Sequence, residues 1–283
     1  MADSDSQKYG RAAPSADCRA GCIFGVPSVL PFIPLRVAAS SPEQQQTHIA
    51  DYYDEFAARQ RRTGLNARLW ALYERLRTAG LGPTSRVLEL GCGIGALTYL
   101  LARATPHGTV EAVDLSPESV RFATAQLAGQ PNVVVRVHDV VTYQPTGCDF
   151  DFITLFDVIE HIPLELHGAL FRHVATLMSP HTRLLIHIPH PRLIEHLRRH
   201  DPASLQVVDQ SVELAPLVGH LAAAGLVLHS LDTYSLWQQD DYQFLDIRLP
   251  AAFSNQPCAA GLLSRAVARA RHMWRGWMVR YPS

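Results

Sequence analysis

Val87-Leu88-Glu89-Leu90-Gly91-Cys92-Gly93-Ile94-Gly95-Ala96-Leu97-Thr98 is the stretch that decides the fold of this chain. A short apolar run ends in three closely spaced glycines, and a helical pattern starts directly after them at Ala96. The three textures read as a buried strand, a tight turn and a helix. Glycines let a backbone approach a ligand closely, and the unpaired N–H groups that open the next helix suit an anion. A glycine loop alone is weak evidence, so its neighbours along the chain carry the decision.

Downstream, apolar runs predict strands over 86–90, 109–114, 133–138, 150–156, 183–188, 226–234 and 242–249. Helical patterns fall between them at 96–104, 117–128, 164–178, 193–200 and 212–224. Repeated alternation of buried-type strand and helix predicts an α/β fold. The expected architecture is a doubly wound, mostly parallel seven-stranded sheet, Rossmann-like, with an N-terminal helical lid. The last two strands lack an intervening helix and are expected to pair as an antiparallel hairpin at one edge.

The glycine loop closes the first strand, and polar residues close the next three. Asp114 lies 19 residues beyond Gly95, where an acid can accept both ribose hydroxyls of a nucleoside. Asp139 follows the third strand and could accept from an adenine amino group. Asp157 ends the fourth, with Glu160 and His161 behind it. Open sheets of this class bind ligands at the carboxyl ends of their strands.

These motifs resemble the class I S-adenosylmethionine-dependent methyltransferases. VLELGCGIGALT (87–98) is similar to that family's first motif, and VEAVDLSPESV (110–120) to its second-strand acid motif. VHDV (137–140) and FDFITLFDVIEHIP (150–163) are similar to the third- and fourth-strand motifs, the latter especially as found in small-molecule enzymes of the quinone-biosynthesis type. The resemblance covers residues 86 to about 249. It implies S-adenosyl-L-methionine as cofactor, with Gly91, Gly93 and Gly95 against its methionine part and Glu89 fixing the loop or the amino group. It further implies Asp114 on the ribose, Leu115 and Val140 around the adenine near Asp139, Phe156 and Asp157 beside the sulfonium, and Tyr53 in the lid.

The methyl acceptor is expected to be a small, partly apolar organic molecule. A phenol or a weakly acidic carbon would need a general base; a neutral amine, with its lone pair free, would not. Candidates are His161, His187, His190 and Tyr53. His190 leads because it lies past the fifth strand in LLIHIPHP (184–191), where side chains reach the crevice. His190, His161 and Asp157 are therefore the expected acceptor-side residues. The acceptor pocket is expected from residues 59–70 and 234–242, which offer Trp70, Tyr234, Trp237, Tyr242, Arg61, Arg62, Asp240 and Asp241. A divalent ion at Asp157, Glu160 and His161, with His187 or His190, is a sharper alternative; the reading adopted assigns no metal.

Two other classes compete. One is a catalytically silent binder of the same cofactor with a regulatory or assembly role. The other is a nicotinamide-dependent reductase, which the spacing disfavours: Ala96 stands where GxGxxG requires its third glycine, and Glu89 and Asp139 would crowd a pyrophosphate.

The composition suits a globular chain. Of 283 residues, 47% are hydrophobic and 18% charged, which excludes general disorder. Lys and Arg total 25 against 26 Asp and Glu, so a globally basic nucleic-acid binder is excluded. The five Cys form no CxxC pair, which suggests a reducing, cytoplasmic setting. No uncharged apolar run reaches the roughly 18 residues of a membrane span.

Four regions are expected. Residues 1–41 read as a disordered leader; the apolar part from Cys22 mimics a signal peptide, but Pro27, Pro31 and Pro34 break it. Residues 42–83 form the lid and 84–250 the cofactor-binding domain. Residues 251–283 read as a cationic amphipathic helix, with Trp274 and Trp277 on one face and Arg265, Arg269, Arg271 and Arg275 mostly on the other. That helix would pack on the protein's own body or a sister subunit, making a homo-oligomer, or lie on a membrane surface.

Overall fold

The computed structural model describes residues 64–206 and 208–251. The leader, Tyr53, Arg61, Arg62 and the cationic C-terminal segment lie outside the described residues.

The first described element is helix α1 (Ala67–Ala79). Asn66 caps it by accepting from the Leu69 N–H at 3.0 Å, and Gly80 ends it in the left-handed conformation. The glycine stretch folds as its pattern predicts: β1 (Arg86–Leu90), a loop, and α2 (Ala96–Ala104). There follow β2 (Thr109–Asp114), α3 (Pro117–Gln126), β3 (Val133–Val137), β4 (Phe152–Phe156), α4 (His167–Leu177) and β5 (Arg183–Pro189). Then come α5 (Pro191–His200), α6 (Leu214–Ala223), β6 (Val227–Tyr234) and β7 (Tyr242–Arg248). Ser116 caps α3 through the Ser119 N–H, with Pro117 pre-set in its first turn.

The sheet has seven strands in the order β3-β2-β1-β4-β5-β7-β6. The first five are mutually parallel, while β7 runs antiparallel to β5 and to β6. The expected terminal hairpin is present, with β6 at the edge and β7 slotted inside.

Alternation along β1 sorts the two faces. Leu88 and Leu90 join Leu170, Phe171, Val174, Leu217 and Leu221, the buried sides of α4 and α6. Val87 joins Leu72, Leu76, Leu97 and Leu101, from α1 and α2. Part of the expected lid span is thus a helix built into the core, since Leu72 and Leu76 are wholly buried. Glu89 shares the face of Val87, which turns a carboxyl toward α2. Helices on both faces leave the carboxyl ends of β1, β2 and β4 open at one rim.

Candidate active site

The turn after β1 is shaped by three left-handed glycines, Gly91, Gly93 and Gly95. At Gly91, φ is 85° and an added Cβ would stand 2.3 Å from Val158 Cγ2. Both the Gly91 and Cys92 N–H groups donate to the Val113 carbonyl, at 2.8 and 2.9 Å, so the loop is pinned to β2. Asp114 completes the attachment: its carboxylate accepts from the Gly93 N–H at 2.7 Å and the Ser116 N–H at 3.0 Å.

A cavity of about 400 Å³ opens at this rim. Its wall includes Glu89, Gly91, Gly93, Asp114, Leu115, Asp139, Val140, Phe156, Asp157 and His161, so the structure brings these expected residues together. Asp139 also makes a local turn, accepting from the Val141 N–H at 2.9 Å. Gly95 is not among the described lining residues. It sits at the start of α2, where an added Cβ would be 2.9 Å from Ala123 Cβ, so its small size serves packing against α3.

Glu89 is buried, and its Oε2 accepts from the Thr98 hydroxyl at 2.6 Å. Burial pushes its pKa up to about 8 despite that bond, with the charge of Asp114 adding to the rise. Cys92 is a free thiol whose pKa burial also raises, so it is no ready nucleophile.

Asp157 follows β4 in the left-handed region, at φ 56°, a conformation rare without glycine. Its Oδ2 lies 3.1 Å from Arg68 Nη1 and its Oδ1 2.8 Å from His187 Nδ1. Burial alone would raise the Asp157 pKa, but Arg68 and His187 outweigh it and hold the carboxyl at about 2. Arg68 is the site residue that the sequence reading missed. It lies one turn before buried Leu72 on α1, lines the cavity, and keeps a buried Nε without a partner. Gln206 was missed too, and its buried Oε1 on the same wall is likewise unpartnered.

His161 ties the wall to the following loop, donating from Nδ1 to the Val208 carbonyl at 2.5 Å and facing Asp209 at 3.1 Å. Burial would lower its pKa, but Glu160 and Asp209 hold it at about 9. Burial pushes Glu160 itself up to about 8.

Two expectations need correction. His190 does not line the cavity; its Nδ1 accepts from the Arg192 N–H at 3.1 Å and caps α5, whose first residue is Pro191. Trp70, Tyr234, Trp237 and Tyr242 are not among the described lining residues, and Asp241 instead accepts from the Leu236, Trp237 and Gln238 N–H groups. Among the described residues no group of three or more His, Cys, Asp or Glu side chains is arranged to hold a metal ion, the Asp157, Glu160 and His161 set included.

Comparison with known proteins places this geometry. A ubiquinone biosynthesis O-methyltransferase of Xanthomonas campestris pv. campestris (strain B100) is 37% identical over 102 residues, which is 35% of this chain and 40% of that enzyme. A trans-aconitate 2-methyltransferase of Mycobacterium ulcerans (strain Agy99) is 27% identical over 172 residues, 58% of this chain and 62% of that one. The match thus spans about two-fifths of the ubiquinone enzyme's length. Among solved structures, magnesium protoporphyrin IX methyltransferase from Synechocystis PCC 6803 with bound SAH superposes with a TM-score of 0.58 at 21% identity, covering 72% of this chain and 99% of that one. Residues 43–247 match the methyltransferase domain family, and the chain belongs to it.

Proposed function

We propose that this protein transfers a methyl group from S-adenosylmethionine to a small, partly apolar organic acceptor by in-line displacement. The observation that carries this reading is the single cavity that gathers the glycine loop, Asp114, Asp139, Val140 and Asp157 at the carboxyl ends of four strands. Membership of the methyltransferase domain family supports it. So do the relatives, which are named as a ubiquinone biosynthesis O-methyltransferase and a trans-aconitate 2-methyltransferase.

The residues present fit the cofactor. About 400 Å³ is room for a ligand of this size, and the wall holds two buried polar atoms without partners, Arg68 Nε and Gln206 Oε1. In this reading Asp114 takes the ribose hydroxyls, and Leu115 and Val140 flank the adenine near Asp139. Gly91 and Gly93 admit the methionine part, with Glu89 beneath the loop. Arg68 is the candidate partner for the carboxylate. When bound, S-adenosylmethionine supplies an electrophilic methyl on a sulfonium. The chain's task is to hold the acceptor in line behind that methyl and to keep bulk water out.

Asp157 and His161 are the acceptor-side candidates, because both line the cavity. His161, held mostly protonated near neutral pH, suits the stabilisation of an anionic acceptor oxygen better than proton removal. Among the described residues no helix is long and apolar enough to cross a membrane. We place the activity in the cytoplasm, in keeping with the free thiols of Cys92 and Cys148. Residues 84–250 as the catalytic domain, with α1 packed into its core, belong to the same proposal.

The test is mass spectrometry of ligands carried through native purification, followed by calorimetry against S-adenosylmethionine and NADH. Binding of the former alone is expected. Binding of NADH, or of neither, would remove the reading. Turnover of labelled cofactor with candidate acceptors then separates an enzyme from a silent binder.

A further inference from the structure

Arg68 is the only lysine or arginine among the described residues that line the cavity. His161 adds a second cation there, and its Nδ1 is already held by the Val208 carbonyl and by Asp209. Arg68 meets Asp157 Oδ2 through Nη1 at 3.1 Å, while its buried Nε has no partner. Within a guanidinium, Nη1 lies on the side away from the Nε–H, so this ion pair does not use the edge that can take a carboxylate side-on. S-adenosylmethionine carries one carboxylate and no other anionic group. The Nε edge of the one cavity arginine is its complement in charge and in hydrogen-bonding sense.

Asp157 is itself held from behind. A carboxylate offers no proton, so His187 donates from Nδ1 to Asp157 Oδ1 at 2.8 Å, and its Nε2 accepts from the Tyr234 hydroxyl at 2.8 Å. His187 is wholly buried, and its ring stacks on Tyr242 at 4.6 Å with only 10° between the planes; Tyr242 also adjoins Arg68. Tyr234 lies beneath the Arg75 guanidinium, 3.8 Å from its ring centre, and Arg75 is paired with Asp232 at 2.8 Å. The main chain adds a further tie, since the Asp157 N–H donates to the His187 carbonyl at 2.9 Å. Neither His187 nor Tyr234 is among the described lining residues, so both reach the cavity only through the side chains they hold. A guanidinium fixed before the ligand arrives loses less rotamer freedom on binding it.

We propose that Asp157, His187 and Tyr234 are positioning residues, a buried bracket that holds Arg68 with its Nε edge toward the carboxylate of the bound cofactor. The inference rests on the cavity being the S-adenosylmethionine site.

The experiment is calorimetry of the full-length protein with S-adenosylmethionine and, separately, decarboxylated S-adenosylmethionine, which keeps the adenosine, the sulfonium and the amino group and lacks only the carboxylate. It is run on the wild type and on Arg68→Lys, His187→Leu, His187→Asn and Tyr234→Phe, with thermal unfolding of each alongside. The wild type is expected to bind S-adenosylmethionine about thirtyfold more tightly than the decarboxylated form. Arg68→Lys keeps the charge but has no Nε edge, and should lower that ratio about tenfold. His187→Leu is expected to lower it about fivefold, and Tyr234→Phe about threefold in the same sense. His187→Asn keeps an N–H near the Nδ1 position and should restore most of the ratio. A merely structural role would weaken both ligands equally, and that result, or an unchanged ratio in Arg68→Lys or in Tyr234→Phe, overturns the proposal. If His187→Leu does not fold, those two variants decide. A wild type that binds neither ligand refutes the cofactor site itself, and the inference with it; a wild type that binds both with equal affinity refutes the inference alone.

Discussion

Thr98 donates its hydroxyl to Oε2 of Glu89 at 2.6 Å, joining the first turn of α2 to the strand that precedes the glycine loop. Both residues are buried, so the bond holds the two arms of the loop at a fixed separation. It also lets a carboxyl reside where water cannot solvate a charge.

That arrangement predicts a pH dependence. Glu89 has a folded pKa of about 8 against an ordinary 4.5. Its contribution to stability is therefore fully present below pH 4.5 and is lost as pH rises through about 8. Glu89→Gln cannot ionise, so this part of the decline should vanish, while stability at pH 6 stays close to wild type. Urea unfolding from pH 5 to 9 checks this; a variant with the wild-type slope would contradict it.

Gly91→Ala combines two costs. The residue must hold φ 85°, and its new methyl meets Val158 Cγ2 at 2.3 Å. Left-handed strain and overpacking together should destabilise by about 3 kcal/mol. Trimming the neighbour in Gly91→Ala/Val158→Ala should recover the steric part only. Denaturant midpoints of the two single variants and the double variant measure this; full additivity would show that the contact carries no energy.

Arg68→Ala should act at two pH values. At neutral pH it leaves the Asp157 carboxylate without its cation, at a cost of about 3 kcal/mol. In acid, Asp157 has a folded pKa of about 2, below its ordinary 3.8. Its stabilisation is therefore present above pH 3.8 and is lost as pH falls through about 2. Without Arg68 that pKa rises, so acid unfolding should begin at a higher pH. Circular dichroism between pH 2 and 6 reads the midpoint.

Asp114→Ala should weaken S-adenosylmethionine binding by about 1–3 kcal/mol, the usual scale for hydrogen bonds to a charged group. The same carboxylate also holds the Gly93 and Ser116 N–H groups, so the loop itself loosens. Calorimetry measures the loss; unchanged affinity would remove Asp114 from the site.

Most of the sheet was legible because buried parallel strands announce themselves as short apolar runs. The spans read for α2 and β2 match the structure residue for residue. The strand-end wall of the cavity was legible for a related reason: its groups sit at strand ends, whose place in the fold follows from the strands. Arg68 was not, since an arginine on an amphipathic helix ordinarily reads as solvated. The clue was its spacing, one turn before Leu72 and hence on the buried face. His190 was misread although Pro191 directly follows it, the same cap-then-proline order that marks Ser116 and Pro117. The insertion of β7 between β5 and β6 leaves no local trace, because strand order depends on long-range pairing.

That insertion has a bearing on biosynthesis. β5 pairs with β4 on one side and with β7 on the other, so one of its edges waits for the last described strand. A nascent chain leaving the ribosome can assemble β1 to β5 in sequence, yet β6 has nothing in the sheet to join until β7 emerges. Until then the row of open amides along β5 invites pairing with another molecule. Translation stalled just before Tyr242 would release a species prone to aggregate, and completing that one segment closes the sheet and shields the edge together.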